Sequence, residues 1–299
     1  MQFKYLFTVI IPTYNCGQYI PKALDSLLLQ GEYFTKTQVL IVNDGSTDNT
    51  KQIVEPYTQQ YSNIEYLEKP NGNWGSVVNF VKQNQLAKGQ YITVLDSDDY
   101  FLANAFQRVA AHFGHDMIVS AFYCYISPKR RRFLKPYFGK TGVIEQKTKL
   151  RTPHSQPLAK FYRHEIFNLL DPLKEKLFYQ DCLLYHNAIN KVQSVFYICE
   201  PLAVWYATRP GNSTTMPWNN ADKFQAWCDL LKQMNLYGAG IVIYIYTMLP
   251  GFLKELKRQQ LVLDLAKKPA YTWLPQPLAF LFGGLMALRT RKYIRYPKN

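Results

Sequence analysis

The strongest constraint on the fold lies in the first hundred residues, where four short strand-like runs alternate with helical patterns. The runs cover residues 7–12, 38–43, 64–67 and 91–95, and three of them are continuous apolar or β-branched stretches of the kind buried on both faces of a sheet. Between the first two, Ile20, Leu24, Leu27 and Leu28 fall at i, i+4, i+7 and i+8, the stripe of a helix over residues 18–30. Ser46 or Asp48 is placed to cap a further helix bearing Ile53, Val54 and Tyr57. Such alternation predicts βαβ units and a largely parallel sheet, whose right-handed crossovers bring the strands' carboxyl ends to one edge. Open α/β sheets bind ligands along that edge.

Polar residues gather where the strands stop. Pro12-Thr13-Tyr14-Asn15 closes the first, Asn43-Asp44-Gly45-Ser46-Thr47-Asp48 the second and Asp96-Ser97-Asp98-Asp99 the fourth. Asp44 before Gly45 and Ser46 makes a tight turn with an acceptor carboxylate, able to cap the following helix or to take a hydrogen bond from a base or ribose edge. The acidic cluster is more demanding. Three carboxylates in four residues repel one another unless a cation or strong donors intervene. Oxygen-rich sites of this kind suit Mg²⁺ or Mn²⁺, which bridge carboxylate and phosphate oxygens, although an isolated D-x-D is also common in solvated turns.

In order and spacing, V-I-I-P-T-Y-N at residues 9–15, V-N-D-G-S-T-D at 42–48 and L-D-S-D-D at 95–99 resemble the nucleotide-sugar half of glycosyltransferase family 2, inverting enzymes of the GT-A fold. Residues 69–79 (K-P-N-G-N-W-G-S-V-V-N) are similar to the family's Asn/Gly-rich loop and the helix after it. Tyr179-Gln180-Asp181 and residues 206–213 resemble the base-bearing segment and the Arg/Ser loop behind it. The likeness spans roughly residues 7–215 and leaves out the C-terminal third.

The resemblance implies a role for each matching residue. Pro12 and Tyr14 would line a uracil pocket, Asp44 would accept from the base, and Asn71 and Gly72 would lie along the nucleoside. Asp96 would face the ribose and Asp98 would hold the Mn²⁺ or Mg²⁺ that bridges the diphosphate. Asp181 would be the general base, and Arg209 would reach the diphosphate from the acceptor side. The chain departs from the family pattern at two places: Gln180 stands where a Glu is frequent, and Val78 where an Arg is frequent. The residue types suit the chemistry. Displacing UDP from an anomeric carbon develops negative charge that a divalent metal and an arginine fork can stabilise. A carboxylate on the opposite face removes the acceptor proton, typically contributing about 10² to 10⁴ in rate.

Other residues support plainer readings. His112, His115 and His154 show no ligand spacing and belong to the surface or loops, and His164 and His186 read as structural. Trp74, Trp205 and Trp218 can stack on a sugar or nucleoside, or equally pack a cleft wall. From residue 117 the pattern changes to an aromatic strand over 119–126, a basic loop-like excursion over 127–157, a helix over 181–190, a strand over 195–198 and a loop over 209–213. After Pro217 it turns helical and apolar.

At 299 residues with 47% hydrophobic and 19% charged side chains, the chain is neither disordered nor fibrous. Cys16, Cys124, Cys182, Cys199 and Cys228 are scattered without a C-x-x-C pair, which argues against a disulfide framework or a zinc site. The residues after Met1 lack the features of a signal peptide, so a reducing, cytoplasmic setting is expected. Lys and Arg exceed Asp and Glu by 35 to 21, a formal net charge of +14. Residues 254–299 hold ten of those cations against Glu255 and Asp264. They flank two uncharged stretches, 237–253 and 269–288, that are too short or too proline-broken for clean membrane spans and read better as interfacial helices. A helical subdomain or an oligomer interface is the competing reading. A second basic cluster, Lys129-Arg130-Arg131-Arg132, can bind acidic lipid phosphates or a phosphorylated acceptor, or be a solvated loop. No nucleic-acid-binding signature is present.

The expectation is therefore an α/β chain with a GT-A, Rossmann-like, mostly parallel sheet. Residues 1–105 would form the nucleotide-sugar part, 106–216 the acceptor part and 217–299 a helical, basic, membrane-associating region. Its partners would be a UDP-sugar, a saccharide or lipid-linked acceptor of the cell envelope, and an anionic membrane surface at the inner face of the cell membrane. A soluble enzyme acting on a free sugar or protein, and a catalytically silent scaffold of the same fold, are the alternatives. The oligomeric state is left open.

Overall fold

A computed structural model describes residues 2–127, 129–137, 139–145, 156–175, 179–209, 217, 219–236, 250–259, 263–264 and 294–295. The first part alternates as expected: β1 (Tyr5–Thr13), α1 (Ile20–Leu28), α2 (Glu32–Thr35), β2 (Thr37–Asn43), α3 (Thr50–Gln60), β3 (Ile64–Glu68), α4 (Trp74–Gln83) and β4 (Gly89–Val94). These strands fall within two residues of the runs read from the sequence. Next come β5 (Tyr100–Phe101), α5 (Ala105–Ala110), β6 (Met117–Ser127), β7 (Arg130–Leu134), β8 (Gly142–Val143), β9 (Lys160–Arg163), α6 (His164–Leu169), α7 (Gln180–Lys191) and β10 (Val195–Trp205). The helices α8 (Ala221–Leu236) and α9 (Pro250–Arg258) and the paired β11 (Leu263–Asp264) and β12 (Ile294–Arg295) complete the described elements.

Ten strands make one sheet in the order β3-β2-β1-β4-β9-β6-β10-β5, with β7 added beside β6 and β8 beside β10. The β3-β2-β1-β4 half is parallel throughout, so its carboxyl ends share one edge. Both faces are covered, as the apolar runs require. Phe7, Val9, Ile11, Val39 and Ile41 pack on one side with Ile20, Leu24 and Leu27 of α1, while Ile10, Leu40 and Val42 pack on the other with Val77 and Val81 of α4. This period-two division is what a doubly covered strand demands. At Gly89 a Cβ would lie 2.3 Å from the Phe7 carbonyl carbon, so the close approach of β4 to β1 needs glycine there.

The second half corrects the sequence reading in two places. Residues 130–134 form a strand, not a loop, because β9 covers only Met117, Ile118 and Val119 of β6 and leaves the backbone groups of its later residues to be paired. The charged side chains hid that strand from a hydrophobicity reading. The last strand of the main sheet continues past residue 198 to Trp205, because register shifts flanking Pro201 accommodate a residue that cannot donate to the ladder.

Stretch 237–253 enters the described residues only at its end, as the start of α9, where Phe252 and Leu256 are buried in the same core as Phe224 and Leu230. That part packs on the sheet domain. Stretch 269–288 lies outside the described residues, and no helix among those described is long and apolar enough to cross a membrane.

Candidate active site at the carboxyl edge of the sheet

The loops after β1 and β2 are tied to each other. The Asn15 carboxamide accepts from the Thr47 N–H at 2.8 Å, the Asn15 N–H donates to Ser46 Oγ at 2.9 Å, and the Gly17 N–H donates to Asp48 at 3.0 Å. Asp48 also takes the Thr50 N–H at 3.1 Å beside the start of α3, whereas Ser46 makes no such bond. Asn15 is left-handed (φ 49°), a conformation that short polar side chains tolerate. Tyr14 is left 51% exposed beside this pair of loops, while Pro12 is buried within β1 opposite Val42.

Asp44 is buried and anchors the loop before α4. Its Oδ1 accepts from Lys69 Nζ at 2.6 Å and the Gly72 N–H at 3.0 Å, and its Oδ2 from the Asn73 N–H at 2.8 Å. The Asn71 carboxamide donates to the Asp44 carbonyl at 2.9 Å. Asp44 thus shapes the Asn71-Gly72-Asn73 loop from within, and a carboxylate's remaining lone-pair capacity is what it retains for a ligand. Lys69 offsets its charge at a side chain that is almost fully covered.

The acidic cluster follows β4. One carboxylate oxygen from each of Asp96, Asp98 and Asp99 lies within 4.8 Å of the other two. Trp74 Nε1 donates to Asp96 at 2.7 Å, the Arg209 guanidinium pairs with Asp98, and the Tyr206 N–H donates to Asp99 at 2.8 Å. Asp99 Oδ2 is buried without a partner. Burial, then the charges of Asp98 and Asp181, pushes the Asp96 carboxyl up to about 7. Burial also raises Asp98, against the pull of Arg209, and lifts Asp99 well above the usual carboxylate range. Three crowded acids with an orphaned oxygen form a donor set that fits a hard divalent cation, the charge such a cluster lacks.

Asp181 faces this cluster from the first turn of α7, close enough for its charge to act on Asp96. Tyr179, just before the helix, is left-handed (φ 60°), an uncommon conformation for a bulky residue and a form of strain often found at functional sites. Burial raises the Asp181 carboxyl to about 6, opposed by backbone N–H groups and by Lys160. Lys160 is 0% exposed. Its ammonium donates to the Gln156 carbonyl and sits 4.9 Å from the Tyr185 ring, one turn along α7 from Asp181. Desolvation drives this lysine down to about 7 while the Asp181 charge opposes the drop.

Two contacts fix α4, one to the first residue of α7 and one to the segment that precedes α7. Gln180 Oε1 accepts from the Gly75 N–H at 2.6 Å, and its Nε2 donates to the Lys174 carbonyl. Asn79 grips Leu173 through both backbone groups, at 2.8 and 2.9 Å. Val78 is buried in the core, so the position where an Arg is frequent here serves packing.

The fold therefore brings Asp96, Asp98, Asp181 and Arg209 to one edge and sets Asp44, Asn71, Gly72 and Tyr14 along it, with Pro12 inside the strand. Residues 210–213, His154 and Trp218 lie outside the described residues. His112 stacks on Phe196, and His164 bonds the Gly89 carbonyl at 3.0 Å. The sequence reading missed Lys69, Lys160 and the part Gln180 plays in holding Asp181. A lysine within the otherwise apolar run Leu158-Ala159-Lys160-Phe161-Tyr162 is the one sequence signal that marks Lys160.

A family model described as Glycosyl transferase family 2 matches residues 8–170. An uncharacterized glycosyltransferase of Mycoplasma genitalium is 74% identical over 298 residues, covering 100% of both chains. The poly(ribitol-phosphate) beta-N-acetylglucosaminyltransferase TarS of Staphylococcus aureus is 38% identical over 35% of this chain and 18% of its own. Its crystal structure in complex with UDP-GlcNAc superposes with a TM-score of 0.68 at 21% identity, covering 85% of this chain and 77% of that one. A mannosyltransferase from Pyrobaculum calidifontis, solved with GDP-Man and Mn²⁺, gives 0.55 at 16% identity over 97% and 83%.

Proposed function

The chain belongs to glycosyl transferase family 2, and from that premise we propose that it moves a sugar, with inversion, from a UDP-sugar to a hydroxyl of a lipid-linked or cell-envelope polysaccharide acceptor. The observation that carries this reading is the crowded, largely covered triad Asp96, Asp98 and Asp99, with its orphaned oxygen and its Arg209 partner, set opposite Asp181 at the carboxyl edge of the sheet. The UDP-GlcNAc named for the TarS crystal structure supports a UDP-linked donor, and the poly(ribitol-phosphate) in that enzyme's name supports a polymeric envelope acceptor.

In this mechanism Asp181 accepts the proton of the acceptor hydroxyl. The hydroxyl oxygen forms a bond to the anomeric carbon as the bond from that carbon to the diphosphate oxygen breaks, and the electron pair leaves with UDP. Arg209, bonded to Asp98 in the structure, presents a guanidinium fork to the charge that develops there. Asp98, with Asp96 and Asp99, would hold a divalent Mn²⁺ or Mg²⁺, which supplies Lewis-acid stabilisation of the leaving diphosphate. Tyr14 offers an exposed ring for the base, and the loop shaped by Asp44 runs along the nucleoside. The basic C-terminal residues support attachment to an anionic membrane at its cytoplasmic face, which flotation with anionic liposomes checks.

A thermal-shift screen of UDP-sugars with Mn²⁺ tests the donor assignment. One UDP-sugar should raise Tm only when the metal is present and should be slowly hydrolysed without acceptor. Stabilisation by a GDP-sugar instead would overturn the uridine assignment, and no nucleotide sugar binding at all would support the silent scaffold.

A further inference from the structure

From β7 we infer that the acceptor is a polyanion carrying repeated phosphates, received on a ledge formed by Arg130, Arg131 and Arg132; this rests on the transferase reading above. Residues 129–151 carry nine cations (129–132, 135, 140, 147, 149 and 151) against the single acid Glu145. Three of these are consecutive arginines, all exposed, on a strand that starts at the active edge. Arg130 pairs with Ser127, Arg131 with Tyr125 and Arg132 with Cys124. The Tyr125 ring lies 4.9 Å from that of Tyr206, whose N–H holds Asp99. The Cys124 thiol lies within reach of the charges of both Arg132 and Asp99. The ledge thus adjoins the carboxylate cluster through one layer of side chains.

Position and chemistry both favour phosphate. No carboxylate pairs with Arg130, Arg131 or Arg132 among the described residues, in contrast to Arg108, Arg163, Arg209 and Arg258. Guanidinium forks match phosphate oxygens in a way that lysines do not. Edge strands often carry a charge to block pairing, but three in succession project to both faces of the sheet and exceed that need. An anionic chain approaching three aspartates also meets repulsion, which cations at the rim offset. Membrane binding draws on an apolar face as well as charge, and Phe133, 43% exposed, is the one large apolar side chain that β7 exposes.

The test uses the full chain and a fluorescently labelled glycerol-phosphate oligomer, a neutral glycan of equal length and phosphatidylglycerol vesicles. Wild type should bind the oligomer and not the neutral glycan, with an affinity that falls as salt rises. The triple variant R130Q/R131Q/R132Q should bind it roughly tenfold more weakly. Its log-log salt slope should be shallower by about 2, the share of three phosphate contacts on a flexible polyanion. The lysine triple variant should recover much of the slope. Acceptor-free UDP-sugar hydrolysis should be unchanged in both variants, which shows the folded site is intact. Equal oligomer binding by wild type and the glutamine variant overturns the ledge, as does binding that depends on these arginines for vesicles alone. Absence of hydrolysis in wild type overturns the transferase reading and leaves oligomer binding to decide the ledge separately.

Discussion

In the proposed mechanism Asp181 is the residue on which the chemistry turns, and its surroundings set when it can act. Burial holds its carboxyl at about 6, so a base that must be ionised loses activity as pH falls through that value. The expected kcat/KM profile therefore has an acid limb near pH 6 with unit slope. Asp181→Asn should lower transfer by about 10² to 10⁴ while leaving UDP-sugar affinity near wild type, measured by steady-state kinetics and calorimetry. Undiminished turnover would sink the assignment. Asp181 was offered as the base by the resemblance of Tyr179-Gln180-Asp181, but its environment was not readable there. Lys160 lies 21 positions upstream at the start of β9, and only folding sets its ammonium over the Tyr185 ring.

At the scale of elements, the active edge depends on how α7 is docked. Gln180, buried at its first turn, satisfies both the Gly75 N–H at the start of α4 and the Lys174 carbonyl. A neutral amide can donate and accept at once, whereas the carboxylate frequent at this position can only accept. Gln180→Ala strands two backbone groups and should cost about 2 kcal/mol, read from urea unfolding. Because the link orients Asp181 and not the donor loops beyond Gly75, kcat should fall more than UDP-sugar affinity. An unchanged kcat would show that α7 is positioned by its packing alone. The parallel elements were legible because three of the four runs are continuously apolar or β-branched, as strands covered on both faces require. The β7 strand and the far half of β10 were not, since arginines and Pro201 carry no hydrophobic period and their pairing was decided by the two opposite edges of β6.

For the molecule as a whole, charge is unevenly placed, with acids gathered in the site and cations at its rim and in the C-terminal region. Asp96, Asp98 and Asp99 are all held above the ordinary carboxylate value by burial. The folded chain therefore binds more protons than the unfolded one between the ordinary value of 3.8 and about 7. Their contribution favours the folded state at the acid end of that window and is lost as pH rises through it. The metal-free protein should accordingly show a higher Tm at pH 5 than at pH 7, an interval that ends where the depressed Lys160, at about 7, begins to add stability of the opposite slope. Mn²⁺ at a hundred times its Kd should add about 2.7 kcal/mol at pH 7 and reverse the trend. A Tm that rises with pH without metal, or ignores Mn²⁺, would contradict the site's electrostatics. By itself the sequence determined the parallel half of the sheet and the edge where its carboxyl ends gather, because strand period and turn chemistry are local properties, and its motifs offered Asp44, Asp96, Asp98, Asp181 and Arg209 as candidates there. Only the tertiary structure decided that Asp44 turns inward to hold a loop, that Lys160 is buried near the base, and that an arginine strand borders the acids. Those outcomes depend on which backbone edges are left to be paired and which charges must be offset after burial, and both are fixed by contacts between residues far apart in the chain.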